Sequence, residues 1–188
     1  NMKFAKFYFS DVHKKTNNFQ IKNDNNRYFI SGKIFNASKL IENLIYKESE
    51  NKDIFKNDYS LIIDLNEVYL HENHIVHDLK GNLEFKNNIV VRANINSKFD
   101  ETKSLNFTII SNGDQKVTTL FSDKATPFVQ KFDFIKGFEQ GSLDFYSVKS
   151  NNISNSKIKI YDFKLKELPV LTKILTLASL QGIADLLS

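Results

Sequence analysis

Apolar and polar residues alternate at a period of two along most of this chain, and that spacing constrains the fold more than any other feature. Successive side chains of a strand point to opposite faces, so such a pattern builds half-buried strands and excludes a helical bundle. Phe7 and Phe9 begin the pattern, and a second strand reads through Tyr28, Ile30 and Ile34 with Gly32 inside it. Between them, Asn17, Asn18 and residues 23–26 supply turn chemistry. From Asp58 onward the apolar positions run Leu61, Ile63, Leu65, then Val68 and Leu70, then Leu79, Leu83 and Phe85, then Ile89, Val91, Ala93 and Ile95. Turns are expected at Glu72-Asn73, Gly81-Asn82 and Asn87-Asn88. Leu105, Phe107 and Ile109 lead into Asn112-Gly113-Asp114, and the stretch from Val117 to Phe121 answers them. Pro127 interrupts the alternation, and residues 126–138 fit either a short helix or an irregular crossover. After Gly137 and Gly141 the strands resume with Leu143 and Phe145, then with Ile158 and Ile160 set against Lys157 and Lys159.

Two segments break from this period. Ala37, Leu40, Ile41, Leu44 and Ile45 recur at three-and-four spacing and predict a helix near 36–46, with Asn36 or Ser38 able to cap it. The polar stretch from Lys47 to Lys56 then reads as a solvated connection. Pro169 fits the first turn of a second helix near 169–188, whose apolar residues cover more than one stripe and require cover on several sides. The fold class expected is mainly β with minor α: a long antiparallel meander, because short turns place consecutive strands side by side. At 188 residues it is read as a single segment, 1–188.

Composition narrows the function. The net charge is +4, but its lysines are dispersed and Arg27 and Arg92 are its only arginines, so the clustered basic surface of a nucleic-acid binder is missing. With no Cys there is no thiolate nucleophile, disulfide framework or thiolate metal site. No run of about 20 apolar residues is present to span a bilayer, so the anchor of a membrane-attached parent protein would lie outside these residues.

The residues offer little catalytic chemistry. His71, His74 and His77 are the only cluster resembling a metal motif, yet positions three apart on a strand face opposite sides. A hairpin turn at Glu72-Asn73 would make His71 and His74 cross-strand neighbours and still leave a third ligand to be found; no metal site and no cofactor are expected. The chain has no Gly-x-Ser-x-Gly elbow and no Gly-rich phosphate loop followed by Lys-Ser or Lys-Thr. No pair of carboxylates is singled out. A non-enzymatic role is therefore expected.

The terminal segment Leu168 to Ser188, LPVLTKILTLASLQGIADLLS, resembles the C-terminal signature of AsmA-like, YhdP-type bacterial envelope proteins, whose core reads roughly leucine-leucine-x-leucine-alanine-serine-leucine-x-glycine. Ser111-Asn112-Gly113-Asp114, the Pro127 interruption, and Gly137 through Phe145 are similar to the same family, and Gly32 to Ile41 is a weaker echo of a strand-to-helix junction. The chain departs from the family at Glu139-Gln140, where a paired glycine is common, and it stops where the family continues, so a C-terminal truncation is expected. The resemblance implies a long curved sheet with an apolar groove in an inner-membrane-anchored periplasmic protein, associated with phospholipid transport between membranes and with outer-membrane integrity. It implies no catalysis.

Alternation alone fits two arrangements: a core beneath the helices, or a groove for acyl chains. The resemblance favours the groove. Its expected lining is Phe107, Ile109, Leu143, Phe145, Ile158 and Ile160, and its expected capping helix presents Leu171, Ile174, Leu175, Leu177, Ala178 and Leu180. The partners expected are a phospholipid or other acyl-chain ligand and the rest of a parent chain. The alternative is a structural module that docks through exposed strand edges onto neighbouring segments of that parent.

Overall fold

The structure is a computed structural model, and it describes residues 3–10, 14–38, 58–71, 74–129, 137–151 and 153–166. These form one ten-stranded sheet in which every strand lies beside its sequence neighbours. The strands are β1 (Phe4–Ser10), β2 (Thr16–Asp24), β3 (Arg27–Asn36), β4 (Tyr59–His71), β5 (His74–Lys86), β6 (Ile89–Lys98), β7 (Ser104–Asn112), β8 (Gln115–Ser122), β9 (Phe138–Ser150) and β10 (Ile153–Leu165). A single described helical turn, α1 (Thr126–Val129), packs on β9. The mainly β fold expected from the alternation is the fold observed.

Asn chemistry sets the tight turns. Asn25 and Asn26 join β2 to β3, and Asn87 and Asn88 join β5 to β6, all four with positive φ between 49° and 62°. Two consecutive left-handed residues match the right-handed twist of a hairpin, and Asn tolerates that conformation better than other side chains with a Cβ. Gly113, at φ 60°, does the same between β7 and β8.

The observed topology departs from the expected meander at one junction. β3 and β4 pair in parallel, whereas the other eight pairings are antiparallel. A parallel neighbour needs a crossover of a dozen or more residues, and residues 37–58 provide that length. The helix expected near 36–46 begins at this junction. Asn36 Oδ1 accepts from the backbone N–H of Ser38 at 3.0 Å, as a cap would, and the rest of that helix lies outside the described residues. The helix expected near 169–188 lies wholly outside them.

Three expected turns or breaks prove to be strand. Gly81-Asn82 lies inside β5, where Gly81 stands between Ile63 and Ile95 and an added Cβ would meet Ile95 Cγ1 at 2.9 Å. Asn17 and Asn18 belong to β2; buried Asn17 accepts from the Asn36 backbone N–H at 2.8 Å through its Oδ1. Leu61 to Leu65 and Val68 to Leu70, read from the sequence as successive strands, form one continuous strand, β4. In each case tertiary pairing overrides local turn preference.

Because paired residues share a face, the registers trace rows across the sheet. One row runs Ala5, Ile21, Ile30, Ile63, Gly81, Ile95, Phe107, Leu120, Phe145, Ile158, crossing all ten strands, the parallel junction included. The adjoining row on the opposite face runs Lys6, Gln20, Ser31, Asp64, Lys80, Asn96, Asn106, Phe121, Asp144, Lys159. In these two rows one face is apolar from edge to edge and the other polar apart from Phe121; elsewhere that second face also carries Ile62, Ile110, Val117 and Tyr146. The buried core, including Leu65, Val68, Leu105, Leu120, Leu143 and Phe145, lies with the apolar face.

Candidate functional site on the apolar face

All six residues expected to line a groove lie on that one face. Phe107, Leu120, Phe145 and Ile158 are successive partners, Leu143 pairs with Ile160 in the adjacent row, and Ile109 flanks Phe107 two positions along β7. Their accessibility differs. Ile109, Leu143 and Phe145 are 7%, 2% and 3% exposed, so the chain itself covers the face at those points. Phe107, Ile158 and Ile160 are half-buried, as are Ile30, Ile63 and Ile95 toward the other edge. The residues expected to cap the groove, Leu171, Ile174, Leu175, Leu177, Ala178 and Leu180, lie outside the described residues.

Burial changes along the strand direction. At one end, Val68, Val76, Phe99, Ala125, Val129 and Phe138 are buried. The loop after β6 is fastened there: Asp100 Oδ1 accepts from the backbone N–H groups of Thr102 and Lys103 at 3.1 and 2.9 Å, and Lys124 Nζ lies 3.1 Å from Asp100 Oδ2. The Thr102 backbone amide, then Lys124 and the Thr102 hydroxyl, hold the Asp100 carboxyl down at about 2. Asp123 Oδ2 adds a second clamp, accepting from the Ser104 backbone N–H at 2.8 Å and from its hydroxyl at 3.0 Å.

At the other end the apolar face opens and changes chemistry. Toward β4 and β5 it is aromatic: Tyr59 stacks on Phe85 with ring centres 4.4 Å apart and meets Tyr28 edge-on at 6.1 Å. Burial, and secondarily Tyr28, pushes the Tyr59 hydroxyl above its ordinary pKa. Toward β8 to β10 it is polar. Thr118 pairs with Ser147 and Ser147 with Ser156, and the Ser156 hydroxyl donates to Ser147 Oγ at 2.8 Å. Thr118 and Ser147 are fully buried, and among the described residues Thr118 Oγ1 has no hydrogen-bond partner.

One row further out, Lys116 and Lys149 are direct cross-strand partners on this same face, half-buried. Burial, and after it the charge of Lys149, lowers the Lys116 pKa. Sequence reasoning missed this pair. Each lysine stands two positions from a hydroxyl residue, Thr118 or Ser147, which signals a shared face, but their mutual contact depends on the β8–β9 register across the long 126–138 connection.

The histidines fall as a hairpin would place them: His71 and His74 are cross-strand partners, while His77 pairs with Glu67. Among the described residues no three His, Asp or Glu side chains converge at metal-binding spacing, and no helix is long and apolar enough to cross a membrane. Compared with protein-family models, curated proteins and solved structures, the chain finds no match in any of the three.

Proposed function

We propose that the chain is a non-catalytic lipid-binding or lipid-conducting segment of an inner-membrane-anchored periplasmic protein that serves phospholipid transport between membranes and outer-membrane integrity. The observation that carries this reading is the apolar row that continues across all ten strands while the adjoining row on the other face stays polar. An open single sheet of this width offers a broad apolar surface for acyl chains. Each lipid methylene removed from water contributes about 0.8 kcal/mol. The resemblance of Leu168 to Ser188 to AsmA-like, YhdP-type proteins supports the same reading and supplies its cellular setting. Burial of Leu120, Leu143 and Phe145 divides the face and restricts the cargo to the half-open positions, Ile158 and Ile160 on one side and Phe107, Ile95, Ile63 and Ile30 on the other.

Native mass spectrometry of the chain purified without detergent, followed by lipid extraction, tests it. Phospholipid retained in a defined stoichiometry is the expected result; a chain that is lipid-free from every preparation and takes up none on addition contradicts it.

One observation favours a second reading, a docking module within a larger protein. Among the described residues β1 and β10 each have a single neighbour in the sheet, and Tyr8 on β1 is 79% exposed, with Phe4 and Phe9 also open. An edge of that kind is a template for further strand pairing. Concentration-dependent association by size exclusion, without lipid and abolished by a proline within β1, would select this reading.

A further inference from the structure

We infer that Lys116 and Lys149, together with the hydroxyls of Ser111 and Ser154, bind the anionic phosphate head of an amphiphile whose acyl part lies on the apolar face. The inference rests on the lipid reading above and names the cargo's head. Two ammonium groups placed directly opposite each other repel, and a sheet gains nothing from that arrangement by itself. Both lie on the core-facing side, while Lys157 and Lys159, on the solvent face of the neighbouring strand, are exposed. Among the described residues, the carboxylates engaged in ion pairs are Asp100, with Lys124, and Glu139, with Lys166, so neither member of this pair has an acidic partner.

The surrounding groups suit a phosphate. Lys116 is flanked across the sheet by Ser111 and Lys149, and Lys149 by Ser154, whose Oγ lies 3.3 Å from Ser147 Oγ. Two positions inward from the lysines, fully buried Thr118 and Ser147 form a hydroxyl layer between the cationic and the apolar positions. Lysine ammonium groups and hydroxyls donate to phosphate oxygens, and each such bond to a charged group is stronger than a neutral one. An anion would also relieve the burial and the neighbouring charge that depress the Lys116 pKa. The spacing fits an amphiphile: the apolar row crosses β8 and β9 four residues inward from Lys116 and Lys149, about 13 Å along extended strands, and its next member, Ile158 on β10, is half-buried. The chemistry therefore changes in order along β8 and β9, from apolar through hydroxyl to cationic, as a lipid does from tail to head.

Isothermal titration of the full chain with dihexanoyl-phosphatidylglycerol, dihexanoyl-phosphatidylcholine and inorganic phosphate tests this, alongside the K116Q/K149Q variant. Removing the repulsive pair leaves the fold intact, which circular dichroism checks. Expected is a preference of about tenfold or more for the net-anionic phosphatidylglycerol over zwitterionic phosphatidylcholine, lost in the double variant, where phosphatidylcholine binding weakens less. Equal binding of both lipids, unaltered in the variant, overturns the head-group site and leaves the lipid reading standing. Phosphate binding as tightly as phosphatidylglycerol overturns the amphiphile assignment in favour of a free-anion site. No lipid binding at all overturns both readings.

Discussion

Ile30 of β3 and Ile63 of β4 are direct partners in the sheet's parallel pairing, and through them the apolar row passes from the three N-terminal strands to the seven that follow. An antiparallel hairpin at this junction would have kept the sequence order as well. Across the parallel pair the face is kept as it is across the antiparallel ones: Ile30 and Ile63 share one side, and Ser31 and Asp64 the other.

The facing assignment predicts unequal effects at adjacent positions. Ile63→Asp places a carboxylate among Ile30, Ile95 and Leu65 and should cost on the order of 3 kcal/mol. Asp64→Ala, on the exposed face, should stay within about 0.5 kcal/mol. Urea unfolding of both variants measures the difference; equal losses would mean the two faces are misassigned.

Two glycines are held by close approach. A Cβ on Gly32 would strike the Asn18 carbonyl oxygen and the Phe19 backbone at a bulge, and one on Gly81 would meet the movable Cγ1 of Ile95 at 2.9 Å. Both alanine variants should be destabilised, by about 1–3 kcal/mol, with Gly32→Ala the worse because backbone must move. Thermal unfolding ranks them, and the reverse order would contradict the register given for β2 and β3.

Asp100 predicts an acid-limb effect. Its carboxyl sits at about 2 in the folded chain, below the ordinary unfolded value of about 3.9. A depressed carboxylate pKa contributes stability above the unfolded value, and that contribution is lost as pH falls from about 4 toward 2. Asp100→Asn should therefore unfold more readily than the parent chain at pH 6 and converge with it near pH 2. A gap between the two that stays constant over this range would remove the titration argument.

The lysine pair predicts a gain. Lys149→Gln should stabilise the lipid-free chain by about 0.2–1 kcal/mol, the scale of a cross-strand pair. It should also raise the Lys116 pKa toward its ordinary value, although burial, the larger cause, persists. Because the folded pKa of Lys116 is lowered, its destabilising effect is present at neutral pH and fades as pH rises through that folded pKa to the unfolded value. Chemical-shift titration of the Lys116 side chain reports the change; an unmoved pKa would mean the two ammonium groups do not interact.

The strands, the Asn87-Asn88 and Gly113 turns and the common face of the six candidate lining residues were legible because each depends on local period or local turn chemistry. The two-faced reading of Ile158 and Ile160 against Lys157 and Lys159 holds for the same reason: the isoleucines are half-buried and the lysines exposed. Gly81-Asn82 and Asn17-Asn18 read as turns because Gly and Asn favour them, whereas in the fold Gly81 makes room for Ile95 and Asn17 accepts from Asn36 across β2 and β3. The parallel junction was hidden because period two says nothing of strand direction. The Lys116–Lys149 pair was hidden because it needs the register of two strands that no tight turn connects.

The central claim is that the apolar face, and not the polar one, receives acyl chains. Methyl NMR with a nitroxide-bearing fatty acid tests it directly, comparing Ile158 and Ile160 with Ile110, which is 55% exposed on the opposite face. Selective broadening of Ile158 and Ile160 is predicted. Broadening that is equal at Ile110, or strongest there, would contradict the account.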